Sequence, residues 1–347
     1  MFVINNRKSK GVNMIELNIS DLEQYEQLLT DDGRNVSSFF PTHKLLDPKV
    51  WETGYDFNDD VTAIGGTMSK AFYRCNSNQF SDLIKKIKQG NSSYVVHFDK
   101  FAKSTKDFPL SKVSVLLKRC HFGRDSLKEV VVSRIADSFG VPTVYNELAR
   151  IGSTVYVASI DFLKPKESMQ ILNPDKNCLN NMNQSFDNLD NDIIGYLDDM
   201  LKSGKIDKLE YARLHDEFVE NYVFRFLILR DMDFGLNNIA MIKGQNGKYK
   251  WSPNYDYEYC FQGFIDYKIV YDRLNQINKK YPEALEKVLE RFVTNSTSGK
   301  LFKDLMNEYR IYDAIKYYND INSQVKMVSD AYEKVVRDSI NSYVVIK

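Results

Sequence analysis

At 347 residues the chain exceeds the usual size of a single-core domain and suggests two lobes sharing an interior. Its 47 basic and 47 acidic side chains give a formal net charge of zero, which removes the basic excess expected of a general nucleic-acid binder. Four cysteines, Cys75, Cys120, Cys178 and Cys260, form no CxxC pair, so neither a zinc site nor a disulfide framework is supported and reduced, cytosolic thiols are expected.

In chain order, "MFVINNRKSKGVNMIEL" lacks the apolar core of a signal peptide, and the most apolar helix-like run, "YVFRFLILR", carries Arg225 in its middle. A soluble, cytoplasmic protein without a membrane segment is the expectation. No internal repeat of 20 to 50 residues is visible. Residues 1–60 form an N-terminal extension of unassigned role. β-Rich fragments follow at 70–74 ("KAFYR"), 93–98 ("SYVVHF") and 153–162 ("STVYVASIDF"). Between the last two, "SLKEVVVSRIADSFGV" reads as a helix, with Ser126 as cap, Glu129 as its capping-box partner, and Gly140 and Pro142 as the stop. The Asn/Asp-rich stretch 173–192 reads as a surface loop, after which helical spacing dominates at 194–203, 207–230 and most of 267–341. The expected class is therefore α+β, with a β-rich N-terminal lobe over 61–162 and a mainly helical C-terminal lobe over 163–347.

The helical run that ends at Arg230 leads directly into "DMDFGLNNIAMI", and the pair Asn246-Gly247 then turns the chain back towards "SPNYDYE". A β-hairpin between Asn238 and Asp256 returns a second carboxylate to the neighbourhood of Asp233. Such a constellation suits phosphoryl transfer, which needs one carboxylate near an acceptor hydroxyl and further oxygen ligands that hold Mg²⁺ against nucleotide phosphates. Asp233 and Asn238 stand five apart, the D-x-x-x-x-N spacing of a kinase catalytic loop. On this reading the tripeptide Asp233-Phe234-Gly235 is not the metal loop its letters suggest. Its aspartate belongs to the catalytic loop, and the metal aspartate is Asp256.

"DFGLNNIA" followed by "SPNYDYE" resembles the D-x-x-x-x-N and P-x-Y-D signature of HipA-like serine/threonine kinases, including their compact CtkA-type members. The blocks "EVVVSRIADSFGVP" and "STVYVASIDF" resemble that family's αC-like helix and the strand entering its hinge, and the likeness spans roughly residues 60 to 262. The resemblance implies a bilobal protein-kinase-like fold, ATP and Mg²⁺ as ligands, and transfer to a protein serine or threonine. A toxin or effector role, with an antitoxin or other regulatory partner, is implied as well. Asp233 would be the catalytic base, Asn238 and Asp256 the metal ligands, and Glu129 the helix carboxylate that pairs the phosphate-binding cation. Gly65, Gly66 and Lys70 in "GGTMSK" would form the phosphate loop, and backbone groups around Ile160 and Phe162 would meet the adenine. Where the family carries its phosphate lysine, this chain has His97 in "YVVHF", and Lys100, Lys70 or Lys118 are the alternatives. A nucleotide-binding pseudokinase acting as a regulatory module, and a lipid or small-molecule kinase, are the competing readings.

Overall fold

The computed structural model describes residues 52–53, 70–76, 80–96, 112–119, 123–151, 154–164, 166–172, 186–231, 234–260, 267–296, 330–331 and 334. Strands β1 (Glu52–Thr53), β2 (Lys70–Asn76), β3 (Lys112–Lys118), β4 (Asn146–Ile151) and β5 (Thr154–Ile160) form one antiparallel sheet in the order β1-β2-β3-β5-β4. The expected strands at 70–74 and 153–162 correspond to β2 and β5. The third, at 93–98, is not a regular strand over its described part: Tyr94 makes an isolated bridge to Thr143, and His97 and Phe98 lie outside the described residues.

Strands β1, β3 and β4 of this sheet are not expected from the sequence, and β3 lies in its middle. Its Val113, Val115 and Leu117 are buried at alternate positions and pack with Phe80 and Leu83 around helix α1 (Ser81–Lys88) and with Ala158 and Ile160 of β5. Because strand side chains alternate between faces, Lys118 emerges on the side opposite Leu117. In the ladders it stands across from Lys70 of β2 and from Val157 of β5.

Helix α2 (Gly123–Ser138) is enclosed on several sides and buries polar residues such as Ser126, Lys128 and Glu129 beside its apolar ones. Val130, Val131, Ile135 and Phe139 form one cluster with Leu148 of β4 and with Val223, Phe224, Leu274 and Leu285 of the helical half. This cluster ties the sheet to the helices. The helix begins at Gly123, ahead of the capping pattern, so Ser126 lies inside it, its hydroxyl buried and without a hydrogen-bond partner, and Glu129 turns to other work. Its end follows expectation: Gly140 adopts φ +70°, and the Val141 amide donates to Ala136 O at 3.0 Å, a Schellman-type closure ahead of Pro142.

The second half contains α3 (Phe186–Lys202), α4 (Lys208–Val223), α5 (Tyr267–Lys280) and α6 (Pro282–Ser296), with a small sheet of β6 (Ser168–Ile171), β7 (Ala240–Lys243) and β8 (Tyr249–Trp251) in the order β6-β7-β8. Residues 186–192, expected in a loop, belong to α3. Leu189, Ile193, Leu197 and Met200 recur at helical spacing and pack on Leu214, Phe218 and Tyr222, which overrides the Asn/Asp content. Asp207 caps α4 by accepting from the Glu210 amide at 2.8 Å. Helix α4 does not run straight to Arg230: from Phe224 to Ile228 it widens into a π-turn. The hairpin expected between Asn238 and Asp256 is present as β7 and β8, with Gly247 at φ +76° in its turn. No described helix is long and apolar enough to cross a membrane.

Candidate active site

Three segments converge where the sheet meets the helical half. Strand β3 contributes Lys118, helix α2 contributes Lys128 and Glu129, and the chain beyond β8 contributes Asn254 to Glu258. Lys118 Nζ donates to Glu129 Oε1 at 2.8 Å and to Asp256 Oδ1, and lies 3.3 Å from Glu258 Oε2. One ammonium thus faces three carboxylates whose oxygens lie within 4.8 Å of one another. Burial pushes the Glu129 carboxyl above its usual range; Lys118 opposes that rise and Asp256 adds to it.

The acidic segment is held from several directions. The Tyr257 amide donates to Glu129 Oε2 at 3.0 Å, and Lys128 Nζ donates to Glu258 O at 2.7 Å, so consecutive residues of α2 fix its far end. At its near end the Val144 amide donates to Asn254 O at 3.0 Å and the Asn254 amide to Pro142 O at 2.9 Å. Between these anchors Asp256 takes φ +62°, a left-handed conformation that costs a non-glycine residue free energy unless its surroundings impose it. The strained backbone belongs to the residue that the sequence singles out for metal.

Asn238 is buried at the end of a 3₁₀ turn, Leu236–Asn238, whose first residue follows Gly235. The Tyr255 hydroxyl donates to Asn237 O at 3.4 Å, which links this turn to the Asp256 segment. Ile160 is buried at the end of β5; its amide donates to Tyr145 O at 3.0 Å, and the next amide, Asp161, donates to Ser114 O at 3.0 Å. An adenine contact in this region would therefore fall to Phe162, which is half-buried, or to the carbonyls. Lys70 opens β2 opposite Lys118. Asp233, His97, Gly65 and Gly66 lie outside the described residues.

The cation against Glu129 is thus Lys118, which the sequence reading held only as an alternative to His97. The alternating Val113, Val115 and Leu117 are the signal that could have found its strand. A second residue used in the sequence only against a membrane span, Arg225, is fully buried beneath the site and pairs with Asp231. A cavity of about 420 Å³ is walled by Phe139, Phe218, Trp251, Asn238 and Asn254, and Lys118, Glu129 and Asp256 are not among its lining residues.

The donor set suits a divalent cation with a nucleotide phosphate. Carboxylate and amide oxygens are the ligands Mg²⁺ prefers, and three carboxylates against one ammonium leave excess negative charge for a metal to neutralise. Asn238 and Asp256 are the candidate ligands, and Lys118, steered by Glu129, is the candidate phosphate contact.

The arrangement defines a kinase-like fold: a five-stranded sheet with its crossing helix, a lysine–glutamate pair between them, and a helical half carrying a loop and an acidic segment. Among solved structures, the Helicobacter pylori proinflammatory kinase CtkA superposes with a TM-score of 0.53 at 14% identity, covering 83% of this chain and 98% of its own. HipA of Shewanella oneidensis MR-1, solved with HipB and operator DNA, superposes with a TM-score of 0.43 at 10% identity, covering 94% of this chain and 74% of its own. No protein-family model and no curated protein sequence matches the chain.

Proposed function

We propose that the chain is an ATP- and Mg²⁺-dependent protein kinase of HipA-like type that phosphorylates serine or threonine. The observation that carries this reading is the Lys118–Glu129 pair, 2.8 Å apart, set directly against Asp256 in a kinase-like fold. In phosphoryl transfer the protein contributes mainly positioning and electrostatic stabilisation, and these residues match that division of labour.

Lys118 holds the nucleotide phosphates, and Glu129 keeps its ammonium oriented. Asn238 and Asp256 would hold the metal, which when bound would supply positive charge against the nucleotide phosphates. Asp233, five residues before Asn238, accepts the proton of the acceptor hydroxyl. A lysine in this position removes the main argument for a pseudokinase, which rested on His97 replacing it. The resemblance in sequence adds a protein acceptor, and an antitoxin-like or other regulatory partner, to the same reading.

The test is incubation of the purified chain with labelled ATP and Mg²⁺, with and without a generic protein acceptor, comparing wild type with Asp233→Ala. Label transferred to serine or threonine by wild type and lost in the variant is the expected result. Nucleotide binding without transfer in the wild type overturns the enzyme reading in favour of the pseudokinase.

A further inference from the structure

Arg225 sits on the π-turn Phe224–Ile228, with its side chain fully buried. Its guanidinium has five N–H donors in a rigid plane, and five hydrogen bonds are found. Nε donates to Asp231 Oδ2 at 2.7 Å, and Nη2 donates to the same oxygen. The remaining bonds reach a different segment: Nη1 to Asn254 Oδ1 at 3.4 Å and to Tyr255 O at 3.2 Å, and Nη2 to Asp256 O at 3.1 Å. Two aromatic rings lie against it as well, with the Phe234 centroid 4.4 Å and the Tyr257 centroid 5.1 Å from Cζ.

These partners lie at two chemically distinct places. Asp231 and Phe234 flank Asp233 in the chain, while Asn254 to Tyr257 surround Asp256. One side chain therefore grips the loop that supplies the proposed base and the backbone carbonyl of the proposed metal ligand. The π-turn helps it do so. Its wider ring, closed by the Leu229 amide on Phe224 O at 3.1 Å, shifts the residues that follow, and π-bulges of this kind recur at functional sites.

Stability alone is a weak reason for such a pair. A fully buried ion pair roughly breaks even against apolar side chains of similar volume, because desolvation offsets the attraction. Resting on the kinase reading above, we infer that Arg225 is a positioning residue: it holds Asp256 in its left-handed conformation and sets it against the Asp233 loop, so that metal binding and transfer depend on a residue that touches neither metal nor nucleotide. Lysine cannot replace it, since three donors on one atom cannot span both segments.

The experiment is a Mg²⁺ titration of ATP binding and of kcat in wild type, Arg225→Lys, and the apolar pair Arg225→Met with Asp231→Leu, each below its own unfolding temperature. Both variants are expected to retain metal-free nucleotide binding and to raise the Mg²⁺ midpoint by about tenfold or more, the scale on which outer residues tune metal sites. A variant that stays folded, with a wild-type Mg²⁺ midpoint and kcat, overturns the inference. If Arg225→Lys fails to fold, the apolar pair decides by the same criterion. Absence of any Mg²⁺-dependent nucleotide binding in wild type would instead defeat the underlying kinase reading, so the two failures are distinguishable.

Discussion

Lys118 on β3 and Glu129 on α2 meet at 2.8 Å with side chains only 11% and 3% exposed, and Asp256, 138 residues after Lys118, completes the contact. The pair ties the sheet to the crossing helix at the point where the acidic segment arrives. Four predictions follow from this junction and its surroundings, each with its own measurement.

On the proposed reading Lys118, which pairs with Glu129, is expected to matter more to the phosphates than His97. Lys118→Met should reduce kcat by about 10²- to 10³-fold, the loss typical of removing one preorganised electrostatic contact. His97→Ala should stay within a few-fold of wild type. Lysine side chains titrate near ~10.4 and histidines near ~6.5, so ATP affinity should change little between about pH 6.5 and pH 8.5 beyond the titration of the phosphates themselves. A steep pH dependence abolished by His97→Lys would return the role to His97.

On the proposed reading the roles of Asp233 and Asp256 should separate. Asp233→Asn should abolish transfer and keep Mg-ATP binding, whereas Asp256→Ala should lose both. Thermal shift reads the difference, because ligand at 100 times its dissociation constant stabilises the fold by about 2.7 kcal/mol. A full Mg-ATP shift in Asp256→Ala would show that the metal is held elsewhere.

Glu129 should contribute less to the stability of the nucleotide-free protein as pH rises. Burial raises its carboxyl above the ordinary value near 4.5, so the folded chain binds this proton more tightly than the unfolded chain. The stabilisation is complete below the unfolded value and is lost as pH rises through the raised one. The melting temperature of wild type minus that of Glu129→Gln should therefore fall as pH is raised from about 4 to about 7. A difference that instead grows with pH would mean that Lys118 outweighs burial and holds the carboxyl below its ordinary value.

Gly66 should matter to nucleotide alone. A glycine lets backbone N–H groups approach phosphate without an intervening Cβ. Gly66→Val is expected to weaken ATP binding while leaving the melting temperature of the nucleotide-free protein near that of wild type. Unchanged affinity in a folded variant would make the Gly65–Gly66 pair an ordinary turn.

The sequence alone was sufficient for features whose information is local. The Asn246-Gly247 turn and the hairpin between Asn238 and Asp256 depend on residues near one another in the chain, where propensity and turn geometry decide. The helix holding Glu129 was legible for the same reason, although its first turn and Ser126 were not, because packing against both halves extends it beyond the capping signal. Tertiary structure decided the partners. "KVSVLLK" does not single out Lys118 from Lys70 and Lys100 until β3 pairs in register with β5 and α2 crosses it, since strand pairing is a contact between distant segments. Arg225, by sequence a charge interrupting an apolar run, gained its place from Asp231 six residues away and from Asn254 to Asp256 some thirty residues on. A buried charge has to find partners on folding, and no short-range pattern records which ones it finds.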